Sequence, residues 1–205
     1  MPKRTRISKV DKWIREGRGS GVGAEYKPWL NIQDVSSKGR STRLKGIKTN
    51  RQHEFLSDLE RNYFYITEYS DFVMGIREQF PLLPLEETLV IADELGLKHP
   101  TDPKTNEPIV MTTDFLLTVD KGQGFIELAR TIKMKDELLN ERVLCSKFVR
   151  FSYCKINICM TNLINFYFKP TLTDIKDRSF SFLDDDITPR KYIVAYLQIA
   201  AIKKN

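Results

Sequence analysis

Apolar side chains recur every three or four residues in some segments of the chain and form extended runs in others. The helical spacing predicts three main helices, over residues 53–69, 85–95 and 137–153. Gly96 follows the second helix and is expected to end it. The extended apolar segments predict three strands, at 72–83, 109–120 and 125–135, with the turn KGQG between the last two. This order of elements predicts an α/β fold with a mixed central sheet.

The sequence of the first 51 residues predicts less regular structure, and this segment carries much of the positive charge of the chain. Ser8 is expected to cap a short helix, and KPWLNIQDV to form a short strand between basic loops. The segment holds 14 Lys and Arg against four acids. Its aromatic residues are Trp13, Tyr26 and Trp29, and its candidate DNA-binding residues are Arg18, Lys27, Arg40, Arg43 and Lys45. Aromatic side chains among clustered positive charges favour a nucleic-acid-binding arm over a solvated basic tail, which is the alternative.

The overall composition is typical of a soluble globular protein. Of the 205 residues, 41% are hydrophobic and 29% are charged, which argues against a disordered, collagenous or coiled-coil chain. We see no apolar run long enough for a membrane helix, and no apolar segment follows MPKRTR as in a secretory signal. The spacing of Cys145, Cys154 and Cys159 fits no zinc motif, so we expect reduced structural thiols in a cytoplasmic protein.

Two carboxylates and one lysine occupy unfavourable local settings, which marks them as candidate functional residues. Glu60 lies between Leu56 and Phe64 on the predicted helix, so its carboxylate shares the apolar face. Asp114 lies in the middle of a predicted strand, where Asp is rare, and Lys133 lies in the next strand. We therefore expect Glu60, Asp114 and Lys133 to converge at one edge of the sheet.

This set suits metal-dependent hydrolysis of a phosphodiester. Carboxylates bind Mg²⁺, which prefers oxygen ligands. The metal stabilises charge on the phosphate and lowers the pKa of a bound water. A lysine beside it can orient that water or stabilise the transition state. The alternative is an Asp–Lys pair on a solvent-facing sheet surface with no catalytic role.

Several motifs follow one another in the first two thirds of the chain. They are REGRGSGVGAEYKPWL, LSDLE at 56–60, IREQFPLLP at 76–84, LKHP at 97–100 and MTTDFLL at 111–117. In this order they resemble TnsA, a family of endonuclease subunits of heteromeric cut-and-paste transposases. The resemblance covers roughly residues 10–135 and implies a restriction-endonuclease-like fold.

The resemblance also implies an active site and partners. Its catalytic residues would be Glu60, Asp114 and Lys133. The metal ligands would be Glu60 and Asp114, with Thr131 as a further minor ligand. The implied cofactor is Mg²⁺, for which Mn²⁺ is expected to substitute. The implied reaction is nicking of double-stranded DNA at the 5′ ends of the transposon, together with a TnsB-type DDE transposase and a TnsC-type AAA+ ATPase.

Two positions differ from the family pattern. The family has Gln two residues before its lysine, where this chain has Thr131, and an acidic residue on the following helix, where this chain has Arg150. These differences leave open a catalytically impaired DNA- and partner-binding subunit on the same fold.

Three regions are expected along the chain. They are a basic N-terminal arm at 1–51, a restriction-endonuclease-like core at 52–155 and a small C-terminal region at 156–205. The last region is rich in aromatic residues and lacks glycine, and Thr188 and Pro189 are expected to begin its final helix. We therefore predict a short, reduced or divergent C-terminal appendage.

Overall fold

The computed structural model describes residues 8–35, 39–120, 124–134 and 140–157, together with residues 122 and 137. The helices are α1 Lys9–Arg15, α2 Asp58–Tyr69, α3 Leu85–Glu94 and α4 Glu141–Asn157. The strands are β1 Thr42–Lys45, β2 Gln52–Phe55, β3 Val73–Pro81, β4 Thr112–Asp120 and β5 Phe125–Arg130. The prediction for the C-terminal region and its final helix lies outside the described residues.

The main sheet consists of three antiparallel strands in the order β3–β4–β5, and β1 pairs with β2 in a separate hairpin. The α/β class is confirmed, but every strand pairing in the described part of the chain is antiparallel, so the mixed sheet is not found there. A helix between two strands usually indicates a parallel crossover. Here the loop after α3 brings the chain back to the end of β3, where Thr112 pairs with Pro81.

Two apolar clusters cover this sheet. The cluster between the sheet and α2 contains Phe55, Tyr63, Phe64, Val73, Ile76, Phe115, Leu117, Val119 and Ile132. The cluster beside α3 and α4 contains Leu82, Ile91, Ala92, Met111, Val149, Tyr153 and Cys154. Leu128 packs on the first cluster and its neighbour Ala129 on the second. Since adjacent strand residues point to opposite faces, the sheet is covered on both sides.

The helix predicted at 53–69 begins later than its periodicity suggested. Ser57 has extended backbone angles, and its hydroxyl accepts a hydrogen bond from Glu60 N at 3.3 Å, so α2 begins at Asp58. The preceding residues Gln52–Phe55 form β2. The predictions for α1 and α3 are confirmed, with Ser8 capping the first and Gly96 at a φ of 62° after the second. No helix in the described ranges is long and apolar enough to cross a bilayer.

The described parts of the N-terminal segment, residues 8–35 and 39–51, pack against the rest of the structure instead of forming a separate arm. The rings of Trp13 and Trp29 meet edge to face at 5.2 Å and pack with Val110. Tyr26 is also buried, so none of the three aromatic side chains is exposed for stacking on bases. The predicted boundary at residue 51 falls between β1 and β2, which pair with each other. In addition, KPWLNIQDV contains a 3₁₀ turn at Ile32–Asp34 instead of the predicted strand.

Backbone contacts tie this segment to β3. Trp29 N donates to Gln79 O at 3.2 Å, and the Tyr26 hydroxyl donates to Glu78 O at 3.0 Å. Gly19 has a φ of 78°, and a Cβ there would lie 2.3 Å from Pro81 Cγ at the end of the same strand. Only glycine therefore fits this close approach.

Candidate active site

Glu60 is held at the N-terminal end of α2 by a local hydrogen-bond network. Its carboxylate accepts from Leu56 N and from the Ser57 hydroxyl, both at 3.0 Å. It is only 5% exposed. Burial and the nearby Asp114 carboxylate raise the pKa of Glu60 from 4.5 to about 7, although the hydrogen bonds and the Lys133 charge act in the opposite direction. Glu60 and Asp114 are therefore close enough to repel each other when both are ionised.

Asp114 lies on β4 beside the segment that continues from β5. Its Oδ2 accepts from Ile132 N at 2.7 Å, and Lys133 Nζ lies 3.7 Å from the same oxygen. Asp114 is buried, whereas Lys133 remains partly exposed. β5 ends at Arg130, so Lys133 comes from the segment after the strand instead of from its middle. The structure brings Glu60, Asp114 and Lys133 together, as the sequence led us to expect.

Gln79 joins this site, and the sequence analysis did not identify it. Its Nε2 donates to Glu60 Oε2 at 3.3 Å, and its Oε1 accepts from the Thr112 hydroxyl at 3.1 Å. Its φ of 47° lies in the left-handed region, which is uncommon for a residue other than glycine. Backbone strain of this kind concentrates at functional sites. The available signal was the run of three polar residues, Arg77–Gln79, inside an otherwise apolar strand.

A buried ion network lies next to Gln79. Glu78 is fully buried and binds the Arg51 guanidinium through both carboxylate oxygens, with an Arg51 Nη1–Glu78 Oε1 distance of 2.7 Å. His53 Nδ1 lies 2.8 Å from Glu78 Oε2. Burial alone would raise the pKa of Glu78, but the bonds to Arg51 and His53 lower it to about 2. His53, which the sequence placed on a helix near Glu60, is instead a buried residue of β2.

The Thr131 hydroxyl contacts Thr113 and not the carboxylates of Glu60 and Asp114. Its hydroxyl lies 3.4 Å from the Thr113 hydroxyl, which also donates to Arg130 O at 2.9 Å. Thr113 and Asp114 are neighbours on β4, so their side chains point to opposite faces of the sheet. The predicted minor ligand is therefore placed beside Thr113.

Two cations of α4 lie within electrostatic reach of Asp114. Lys147 is 6% exposed, and burial together with the Lys133 charge lowers its pKa to about 8, while Asp114 acts in the opposite direction. Burial also lowers the pKa of Arg150, and again Asp114 opposes the change. The sequence drew attention to Arg150 but not to Lys147.

The candidate DNA-binding residues differ in their surroundings. Arg18 stacks over Trp13, pairs with Glu16 and Asp34, and donates to Trp29 O, so its guanidinium is occupied within the protein. Arg43 is half exposed and pairs with Glu54 at 2.7 Å. Lys27, Arg40 and Lys45 are exposed.

The carboxylate pair suits one divalent cation. Ionising both Glu60 and Asp114 is costly without a positive charge between them, and burial together with the Asp114 carboxylate raises the pKa of Glu60. The described part of the chain contains no cluster of three or more His, Cys, Asp and Glu placed to hold a metal. A two-carboxylate site leaves most of the octahedral Mg²⁺ shell to water, which that ion retains readily. The donor set therefore fits a single Mg²⁺.

Comparison with known proteins shows what this chain is similar to. A family model described as "TnsA-like endonuclease N terminal" matches residues 70–167, which include Gln79, Asp114 and Lys133. The chain is also similar to the "Transposon Tn7 transposition protein TnsA" of Escherichia coli, with 44% identity over 135 residues. The alignment covers 66% of this chain and 48% of that protein, so the chain spans about half the length of the curated relative it matches.

Proposed function

We propose that this chain, which carries a TnsA-like endonuclease domain, is a DNA-cleaving subunit of a transposase. The resemblance seen in the sequence is confirmed by both comparisons, and a restriction-endonuclease-like core fits the α/β arrangement. The substrate would be double-stranded DNA at the transposon ends, nicked at the 5′ ends. The observation that carries the proposal is the placement of two buried carboxylates, Glu60 and Asp114, close to each other and beside Lys133.

Glu60 and Asp114 would hold one Mg²⁺. When bound, the ion would stabilise charge on the scissile phosphate and make a bound water more acidic. Asp114 is oriented for this by Ile132 N, and Glu60 by Leu56 N, Ser57 and Gln79. These bonds fix the two carboxylates before substrate arrives, so little reorganisation is needed.

Lys133 has a different task in the proposed site. Its ammonium lies 3.7 Å from Asp114 Oδ2, and its side chain is 29% exposed. It can therefore face Asp114 and still present N–H donors to a water molecule or a phosphate oxygen. Such a donor would orient the attacking water or stabilise the negative charge of the transition state.

The partners are part of the proposal. A TnsB-type DDE transposase would cut and join the 3′ ends, and a TnsC-type AAA+ ATPase would regulate the complex. The name of the relative from Escherichia coli supports a role in transposition.

A catalytically impaired DNA- and partner-binding subunit is the second candidate. It is favoured by the placement of Thr131, whose hydroxyl lies beside Thr113 rather than beside the carboxylates. Lys147 and Arg150 favour it as well, because positive charge near Asp114 would compete with a metal for that carboxylate.

Replacing Asp114 with alanine separates the two candidates. Asp114→Ala should abolish nicking of a supercoiled plasmid that carries the transposon ends, in the presence of the partner transposase and Mg²⁺. Asp93→Ala changes an exposed carboxylate on α3 and should leave nicking unchanged, which controls for the loss of one negative charge. If the Asp114→Ala protein has the wild-type circular dichroism spectrum and nicks at the wild-type rate, the nuclease proposal is wrong.

A further inference from the structure

Lys147 is a buried cation for which the described structure shows no hydrogen-bond partner. The residue is 6% exposed, and its Nζ is buried with no donor–acceptor contact within the described residues. Nε of Arg150, one helical turn further along α4, is buried in the same way. The two side chains are three residues apart and so lie on one face of the helix.

The charges that the described residues place around Lys147 do not neutralise it. Within the described residues, Asp114 attracts its ammonium, Lys133 and Arg150 repel it, and Glu137, a second acid that acts on it, is exposed. Asp114 is already engaged by Ile132 N and Lys133. Among the described residues, three cations therefore act on Asp114, and two of them have buried nitrogen atoms without a hydrogen-bond partner there.

An arrangement of this kind destabilises the protein when no anion is present. A buried charge without a partner costs several kcal/mol after relaxation, and the cost falls when an oppositely charged group supplies hydrogen bonds. Within the described residues, no negatively charged group offers an oxygen acceptor to Lys147 Nζ or Arg150 Nε. An anion bound next to Asp114 and Lys133 would supply them. A phosphodiester has this chemistry and would be brought to the same place by the proposed function.

We propose that Lys147 binds a phosphate of the DNA backbone beside the Asp114–Lys133 pair, with Arg150 contributing a second positive charge. This inference rests on the proposed function, because the DNA must reach Asp114 for the phosphate to reach Lys147. It assigns α4 a direct part in holding the substrate, in addition to its packing against α3.

The test measures DNA binding and not cleavage, so it does not depend on the metal. Fluorescence anisotropy in EDTA follows binding of the full chain to a labelled 30-base-pair duplex as salt is varied. Each phosphate contact contributes about −0.9 to the slope of log affinity against log salt. Lys147→Met should therefore flatten the slope by about that amount and weaken binding roughly tenfold or more.

Two further variants make the result specific. Lys147→Arg keeps the charge and should retain the wild-type slope. Lys98→Met removes one exposed positive charge and should leave the slope nearly unchanged, so it controls for net charge. Lys147→Met should also melt at an equal or higher temperature than the wild type without DNA, because a buried charge without a partner has been removed.

Three results would overturn the inference. The first is a wild-type salt slope in Lys147→Met, and the second is a flattened slope in Lys147→Arg. The third combines two measurements. Inorganic phosphate at constant ionic strength raises the melting temperature of the wild type but not of Lys147→Met, while Lys147→Met binds DNA as the wild type does. That result would indicate a pocket for free phosphate. If nicking requires Asp114 but binding does not involve Lys147, only this inference fails. If nicking does not require Asp114, the proposed function fails.

Discussion

The buried Glu78 network offers a test of how the two antiparallel sheets are held together. Glu78 lies on β3 and binds Arg51 and His53, which come from the β1–β2 hairpin. Replacing Glu78 with glutamine keeps the shape of the side chain but removes its charge. The Arg51 guanidinium, whose side chain is 7% exposed, would then be a buried cation without its counterion.

Two independent arguments give a similar size for the loss of stability. Removing one member of a buried ion pair costs about 3–5 kcal/mol, because the other charge is left unpaired. The lowering of the Glu78 pKa from 4.5 to about 2 corresponds to about 3 kcal/mol of folding free energy. Because the pKa is lowered in the folded state, this contribution is present above pH 4.5 and disappears as the pH falls toward 2.

Urea unfolding followed by tryptophan fluorescence, repeated between pH 3 and pH 8, measures both effects. We expect Glu78→Gln to lose about 3 kcal/mol or more at pH 7, and less as the pH approaches 3. Glu127→Gln is the matched control, since Glu127 also pairs with an arginine, Arg77, but is 42% exposed. Its expected cost is about 0–1 kcal/mol.

The reasoning would be refuted by a Glu78→Gln protein within about 1 kcal/mol of the wild type at neutral pH, the range of an exposed pair. It would also be refuted if the two glutamine variants showed the same dependence on pH. Either result would mean that the Arg51–Glu78 contact contributes no more than a surface ion pair.

Three further predictions concern the site and the basic segment. In EDTA, the raised pKa of Glu60 makes the folded protein bind a proton more tightly than the unfolded chain, so stability should fall by about 3 kcal/mol as the pH rises from 4.5 to about 7. Glu60→Gln should remove this fall, and urea titrations at pH 5 and pH 8 that show the same fall in both proteins would contradict the assignment. Replacing Arg40, Arg43 and Lys45 with serine should flatten the salt slope of DNA binding by up to about 2.7. The change is smaller if Arg43 stays paired with Glu54 in the complex. An unchanged slope in a binding titration would show that this loop does not contact DNA. Calorimetric titration with Mn²⁺ should show one tight site, since Glu60 and Asp114 supply too little negative charge for two; two tight, independent sites in the wild type would contradict this.

Residues with a strong local signal could be predicted from the sequence. A carboxylate on an apolar helix face and an Asp within a strand are unfavourable unless a site compensates them, and this identified Glu60 and Asp114. Spacing along the chain then brought Lys133 to the same edge. These inferences needed only the helix and strand periods, which local sequence determines.

Other features depend on tertiary contacts that no local pattern contains. Trp13 and Trp29 looked like exposed aromatic residues of a basic arm, but Val110, which lies 97 and 81 residues further along the chain, provides the surface that buries them. The role of Gln79 depends on a left-handed φ and on the distant Glu60. The direction of β4 relative to β3 depends on how the loop after α3 returns, and its residues give no sign of this.

The hydrogen bonds from Trp29 and Tyr26 to β3 affect how truncation experiments must be interpreted. Deleting the residues before 36 to test the basic segment would also remove the backbone donor to Gln79 O and uncover Val110. An inactive truncated protein would then report damage to the strand that supports Glu60, whether or not the segment touches DNA. Point substitutions at exposed cations such as Arg40 and Lys45 leave those bonds in place, so they alone separate DNA affinity from the integrity of the catalytic centre.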